Sequence, residues 1–497
     1  MAINSVGYNA TILGRSVQNI NAQLADLQAQ LTTGKKSTTY SGMGVNEGFA
    51  IAARSQLSNI TAFTDTASKV QTTIDVANTA IQSLAELAKT TQNAVTNTSQ
   101  TLNSMGQTIA QQNASAQFST MIGILNTRSG DRYIFSGSAI DTPSVAPDDV
   151  IMNGSGTQVG LKQIISERRQ ADLGASGMGR LAVTQPTTTS VSVAEDVAGS
   201  PFGLKLGAIS SSLTGATVNG PTGSPPAISV DLGATNPNDG DKVTFTFNLP
   251  DGTTSSVQLT ATTTTPAPTG SFTIGATSDV TATNLNNALT SSIGKLANTE
   301  LVAASALQAG NDFFGSPPLR VSGTPLNTAT SLVNGTSTNT VSWYTGESGS
   351  GSARASSTAR IDDSITVQYG ARANEQALRR QLQNVAVLAA ITTSPTDPNG
   401  PAQIAALDFR IAQNLSAQPG QQSIQDIQSD FAIAQATMKD ASARQTQTKA
   451  ALQTLVDQAE SVAPEEAAAQ ILALQTQLQA SYQTTSMLSQ LSLAKFL

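Results

Sequence analysis

Residues 12–36 read ILGRSVQNINAQLADLQAQLTTGKK, and the spacing of apolar side chains in this stretch decides the fold. Leu13, Val17, Ile20, Leu24, Leu27 and Leu31 recur at intervals of 4, 3, 4, 3 and 4. This is an a/d seam, the pattern of a helix that lies along another helix. Gly34 ends the seam, and Gly42, Gly44 and Gly48 mark a loop. A second seam follows at Val70, Ile74, Ala77, Ile81 and Leu84. From Glu47 to Met105 there is no proline and only one glycine, Gly48, which predicts one helix on the order of 80 Å long at ~1.5 Å per residue. A helix of that length belongs to a rod. Phe118, Met121, Ile122 and Leu125 predict a shorter helix after Gly106.

The carboxyl end has the same character. Ile404, Leu407, Ile411 and Leu415 precede a Pro419-Gly420 break, and Ile424, Ile427, Phe431, Ala434 and Met438 resume the helical spacing. Pro464 falls in the first turn of a terminal helix, with Glu465 and Glu466 placed to favour its dipole. That helix carries Ile471, Leu474, Leu478, Leu488 and Leu491. Between about 185 and 365 the chain turns to Thr, Ser, Gly and Pro. There Val243, Phe245, Phe247 and Leu249 alternate, Pro250-Asp251-Gly252 turns, and Val257 and Leu259 resume, which predicts a β-hairpin. Shorter alternations lie at 228–232, 272–274 and 365–369, and Leu285, Leu289, Ile293 and Leu296 predict one amphipathic helix among the strands. The fold class is α+β: a long helical coiled-coil rod built from both chain ends, with a β-rich inserted outer domain.

Composition narrows the function. None of the 497 residues is cysteine or histidine, which removes disulfides, thiolate nucleophiles, the usual catalytic triads and His/Cys metal sites. The net charge of -7 offers no broad positive surface for phosphates, so nucleic acid is not an expected partner. No apolar run approaches the roughly 20 residues of a membrane span. The amino terminus lacks a basic residue ahead of an apolar core, so no cleavable signal peptide is expected. Neighbouring carboxylates at Asp148-Asp149, Asp362-Asp363 and Glu465-Glu466 point apart on a helix or strand and read as surface or helix-end residues. Lys35-Lys36 and Arg168-Arg169 read as surface or salt-bridge residues. No catalytic, cofactor or metal site is expected, and the reading is not an enzyme.

Four regions carry a resemblance. Residues 31–36 and 44–52 (LTTGKK and GVNEGFAIA) resemble the amino-terminal segment of the bacterial flagellin family. Residues 131–138 and 141–143 (DRYIFSGS and DTP), residues 368–375 (QYGARANE), and the ending from Leu478 to Leu493 are similar to the hook-associated protein 3 branch of that family. The resemblance spans both ends, about 300 residues, and stops short of the Thr-rich middle. The second-helix stretch Leu84-Ala85-Glu86-Leu87-Ala88 keeps a glutamate but lacks the arginine of many filament flagellins, and the usual leucine-arginine ending is absent.

The resemblance implies a structural subunit of the bacterial flagellum, extracellular, exported through the flagellar type III apparatus and self-assembling through its terminal helices. It leans to a hook–filament junction subunit, with a filament flagellin as the alternative and an extracellular adhesin on a helical stalk as the more distant one. Implied partners are other copies, other flagellar axial proteins (hook-associated proteins and flagellin) and an export chaperone. The expected assembly interface is Leu13, Val17, Ile20, Leu24, Leu27, Leu31, Ile471, Leu474, Leu478, Leu488 and Leu491. The expected domains are 1–40 plus 464–497 as a terminal helical core, 41–184 plus 366–463 as a helical rod with a β-hairpin, and 185–365 as the variable insertion.

Overall fold

A computed structural model describes residues 4–494. Its helices are α1 (Asn4–Thr33), α2 (Glu47–Asn97), α3 (Ile109–Leu125), α4 (Asp148–Asn153), α5 (Leu161–Leu173), α6 (Ser278–Leu296), α7 (Val302–Phe314), α8 (Gln376–Ala390), α9 (Gly400–Leu415), α10 (Ile424–Glu460) and α11 (Pro464–Ala494). The chain forms two compact units. The first comprises Met1–Val70, Ala359–Val367 and Gln435–Leu497, and the second Gln71–Thr358 and Gln368–Ala434.

The expected helix from Glu47 to Met105 stops early, at Asn97. The reason is local. Residues 96–103 are almost all Thr, Asn, Ser and Gln, whose side chains bond their own backbone: Thr98 Oγ1 donates to the Ala94 carbonyl, and Asn103 Oδ1 accepts from the Met105 and Gln107 amides. Such bonds compete with the helical ladder. The seam expected in α2 is buried and continues beyond the expected set, through Ala88, Thr91 and Val95. After the break, α3 starts on a capping box, with Thr108 Oγ1 accepting from the Gln111 amide and Gln111 Oε1 accepting from the Thr108 amide. Gly106 makes the turn at φ +74°, and a Cβ there would lie 2.1 Å from the Thr393 carbonyl oxygen. Only glycine fits.

In the second unit α8 is the central helix, buried continuously from Leu382 to Ala390, with α3, α7 and α9 packed against it. Short antiparallel ladders β1 (Arg128–Ser129) with β2 (Arg132–Tyr133), and β3 (Gly154–Ser155) with β4 (Gln158–Val159), connect its helices. The middle of the chain builds two four-stranded sheets from β5 (Leu181–Thr187), β6 (Ser190–Glu195), β7 (Lys205–Ser211), β8 (Thr217–Thr222), β9 (Ala227–Asp231), β10 (Lys242–Asn248), β11 (Thr254–Thr262) and β12 (Ser271–Thr273). Their orders are β5-β6-β9-β8 and β12-β11-β10-β7. The β10–β11 hairpin is as expected, with Phe245 opposite Val257 and Val243 opposite Leu259. Val243, Phe245 and Phe247 point into one core that also takes Val191, Val193, Ile228 and Val230, and α6 fills it with Leu285, Leu289 and Ile293. Strands β13 (Leu319–Ser322) and β14 (Ser331–Asn334) form a separate ribbon, as do β15 (Thr358–Arg360) and β16 (Thr366–Gln368).

Helix α7 belongs to the Thr-rich half of the sequence, yet it packs against α5, α8 and α9. A buried ionic cluster joins α5 to α7. Arg168 reaches Asp172 and Asp312 at 2.9 Å each and donates to the Pro201 carbonyl at 3.0 Å. Asp172 accepts in addition from Ser305 Oγ at 2.5 Å and the Gly203 amide at 2.8 Å. Burial pushes the Asp312 carboxyl above its ordinary pKa, and the Arg168 charge opposes that. Arg168 is therefore a salt-bridge residue, and a buried one.

Candidate assembly interface

Helices α1 and α11 pack against each other in the first unit, so the two chain ends pair. On α1, Ile20 is buried and Val17, Leu24 and Leu27 are half-buried; on α11, Ile471, Leu474 and Leu478 are half-buried. Leu31 remains 42 % exposed. The side chains of Leu13, Leu488 and Leu491 lie outside the described residues.

The pair leaves further apolar surface open. Ile12 (51 %), Leu472 (65 %), Tyr482 (53 %) and Met487 are exposed, as are Phe49 and Ile51 at the start of α2. The seam reading missed these because they lie off the a/d positions; Leu472 directly follows Ile471, one helical step round the face. Across α1 the only charged residues are Arg15 and Asp26, and across α11 only Glu465 and Glu466. A surface of Ala, Gln, Ser, Thr and scattered large apolar groups can be covered by another helix without desolvating ions, and burying each large apolar side chain there yields roughly 1.5–3 kcal/mol.

The bases of α1 and α11 are tied together in the same unit. Gly34, at φ +69°, releases the chain from α1, and Lys35 then pairs with Ser461 in an antiparallel bridge. The Lys36 amide donates to the Glu460 carbonyl and the Val462 amide to the Gly34 carbonyl. The Glu460 carboxylate, 6 % exposed, accepts from Arg54 Nε at 2.7 Å and Nη2 at 2.6 Å, with Lys35 at 3.8 Å. Lys36 Nζ lies on the last carbonyls of α10, Gln458 and Ala459, where a cation favours the helix dipole. Lys35 and Lys36 are thus salt-bridge and capping residues. In the same unit the β15–β16 turn lies on α10, Gln445 Nε2 donating to the buried Ile361 carbonyl at 2.6 Å and Asp362 lying 3.7 Å from Arg444.

A second joint lies in the second unit and brings together two stretches far apart in sequence. Ser136 bridges Arg372, the Gly137 amide donates to the Ala371 carbonyl, and the Ala373 amide donates to the Phe135 carbonyl. Phe135 is fully buried, Ser136 Oγ donates to the Thr142 carbonyl, and Glu347 Oε2 accepts from the Ser138 amide at 3.0 Å. Glu375 pairs with Arg354, which stacks over Phe431 at 4.4 Å. Sequence spacing does not reveal this pairing; the resemblance of both stretches to one family branch was the available signal.

Among the described residues no group of three or more His, Cys, Asp or Glu side chains is placed to hold a metal, and no helix is long and apolar enough to cross a membrane. Paired chain ends, a charge-poor helical surface and a tied base are features suited to packing against further helices. Residues 5–139 match the family model of the bacterial flagellin N-terminal helical region. Over these residues the chain is similar to the bacterial flagellin family, and this match supports a structural subunit of the flagellum. No curated protein matches the sequence.

Proposed function

We propose that this flagellar subunit is of the hook–filament junction type, similar to hook-associated protein 3, and that it contacts other axial proteins through the terminal helices. The observation that carries the assembly reading is the packing of α1 on α11 with Leu472, Tyr482 and Ile12 left exposed. The junction assignment is supported by the joint of residues 131–138 with 368–375, the two stretches in which the chain resembles that branch. In this proposal Leu13, Val17, Ile20, Leu24, Leu27, Leu31, Ile471, Leu474, Leu478, Leu488 and Leu491 form the assembly seam, partly satisfied within the chain and completed by neighbours. Residues 1–40 and 464–497 are its terminal core, 41–184 and 366–463 its rod, and 185–365 its variable part. Export proceeds unfolded through the flagellar type III apparatus with a chaperone.

A filament flagellin is the second reading, favoured by the two four-stranded sheets of the middle segment, since a large variable insertion suits a filament surface. Immunogold labelling of intact flagella separates the two. Label confined to one point near the cell-proximal end, with trace abundance in sheared material, supports the junction subunit. Label along the whole length supports the filament.

A further inference from the structure

Within the second unit, a cavity of about 290 Å³ opens between the start of α8, the C-terminal half of α9, α7 and the β10–β11 turn. Three arginines and one aspartate line it, a positive site in a chain of net charge -7. The aspartate is already engaged: Asp251 accepts from Arg410 Nε at 3.0 Å and from Thr253 Oγ1 at 2.6 Å. Arg410 is engaged as well, with Glu300 at 2.7 Å. Arg379 and Arg380 are different, since among the described residues neither forms an ion pair. Arg380 donates through Nη1 to Gln421 at 2.8 Å, while its Nε is buried without a hydrogen-bond partner. A buried guanidinium nitrogen with no acceptor is a group waiting for one.

The rest of the lining defines the ligand further. Gln383 Nε2 donates to Asn311 at 2.6 Å and Asn414 Nδ2 to Asn384 at 3.2 Å, which turns the Gln383 and Asn414 carbonyl oxygens into acceptors with no donor among the described residues. Guanidinium forks match a carboxylate, and free carboxamide oxygens match hydroxyls. The volume sits at the lower edge of the ~300–1,000 Å³ range of small-molecule sites, room for one sugar ring. The lining is more polar than apolar, which disfavours an acyl or aromatic ligand.

We propose that this cavity binds a polyhydroxylated carboxylate of one ring, a hexuronate, with Arg379 and Arg380 holding the carboxylate and Gln383 and Asn414 accepting from ring hydroxyls. The proposal is independent of the junction assignment and concerns a face of the second unit only.

Saturation-transfer NMR and calorimetry on the purified full-length chain test it, with D-glucuronate, D-galacturonate, a short oligogalacturonate, glucose and inorganic phosphate as probes. The uronates should bind with a dissociation constant of roughly 1 mM or tighter, and glucose and phosphate at least about tenfold more weakly. R379Q and R380Q, each checked for an unchanged Trp343 emission, should weaken uronate binding about tenfold or more. N414A should lower uronate affinity and leave the weak phosphate binding unchanged. Binding of the oligomer alone would support the site and assign the ligand to a polysaccharide end. Equal binding of phosphate or glucose, no uronate or oligomer binding at millimolar concentration, or unchanged affinity in R379Q and N414A would overturn the proposal.

Discussion

Asp408 makes the most quantitative prediction. It lies on α9 one turn from Ile404 and three residues before Ile411, both buried, and is itself only 5 % exposed. Its Oδ1 has no hydrogen-bond partner, and burial alone pushes the carboxyl from 3.8 to about 7. In the unfolded chain the group ionises near its ordinary value, whereas in the folded chain it holds its proton until about pH 7. Its contribution to stability is therefore complete below about pH 4, declines through the window from 4 to 7, and is gone above it. A shift of about three units at ~1.4 kcal/mol each amounts to about 4 kcal/mol. Asp408→Asn removes the titration, so the difference in unfolding free energy between variant and wild type should move in the variant's favour by up to about 4 kcal/mol between pH 4 and pH 8. Urea unfolding followed by Trp343 is the assay. This single tryptophan is buried in the same unit against Phe314 and donates from Nε1 to the Phe314 carbonyl. A variant-to-wild-type difference constant to within about 0.5 kcal/mol across that range would refute the reasoning.

Three further outcomes are expected. The double change Leu24→Asp with Leu27→Asp should abolish incorporation into flagella while leaving Trp343 emission native, because neighbouring subunits that complete the half-buried seam would bury each carboxylate unpaired, at a cost of several kcal/mol; normal incorporation seen by electron microscopy would contradict this. Glu460→Ala removes the bidentate partner of Arg54 and should destabilise the first unit by about 1–3 kcal/mol, read as faster hydrogen exchange at the Lys36 and Val462 amides. Arg168→Met leaves Asp172 and Asp312 buried without their cation and should cost the second unit about 3–5 kcal/mol in urea unfolding.

The parts legible in the sequence were those with a strong period. The α2 stripe from Val70 to Leu84, the β10–β11 alternation and the α6 stripe all face cores as their spacing required. What escaped has physical reasons. Helix α7 reads Val302-Ala303-Ala304-Ser305-Ala306-Leu307, buried on nearly every side, so it has no periodic stripe to read. Strands β5 and β6 alternate small Ser, Thr and Ala with their core residues Leu181, Val191 and Val193, a weaker contrast than the phenylalanines of β10. The Arg168 cluster and the Arg379–Arg380 cavity join residues more than a hundred positions apart, which no local pattern encodes. Where α1 packs on α11, Val17, Ile20, Leu24, Leu27, Ile471, Leu474 and Leu478 are at least half-buried, whereas Leu472 and Tyr482, off that spacing, stay exposed.

The central claim is that the outer apolar surface of the paired terminal helices is covered by neighbouring subunits in the flagellum. Because the chain contains no cysteine, single thiols introduced as Leu472→Cys on α11 and, for comparison, Val280→Cys at an exposed position of α6 report accessibility without background. Maleimide labelling of the purified monomer and of isolated flagella, quantified by mass spectrometry, makes the comparison. The account predicts that both thiols react in the monomer, and that in flagella the Leu472→Cys thiol is protected while the Val280→Cys thiol still reacts. Equal labelling of Leu472→Cys in monomer and flagella, with the variant incorporated at wild-type levels, would contradict it.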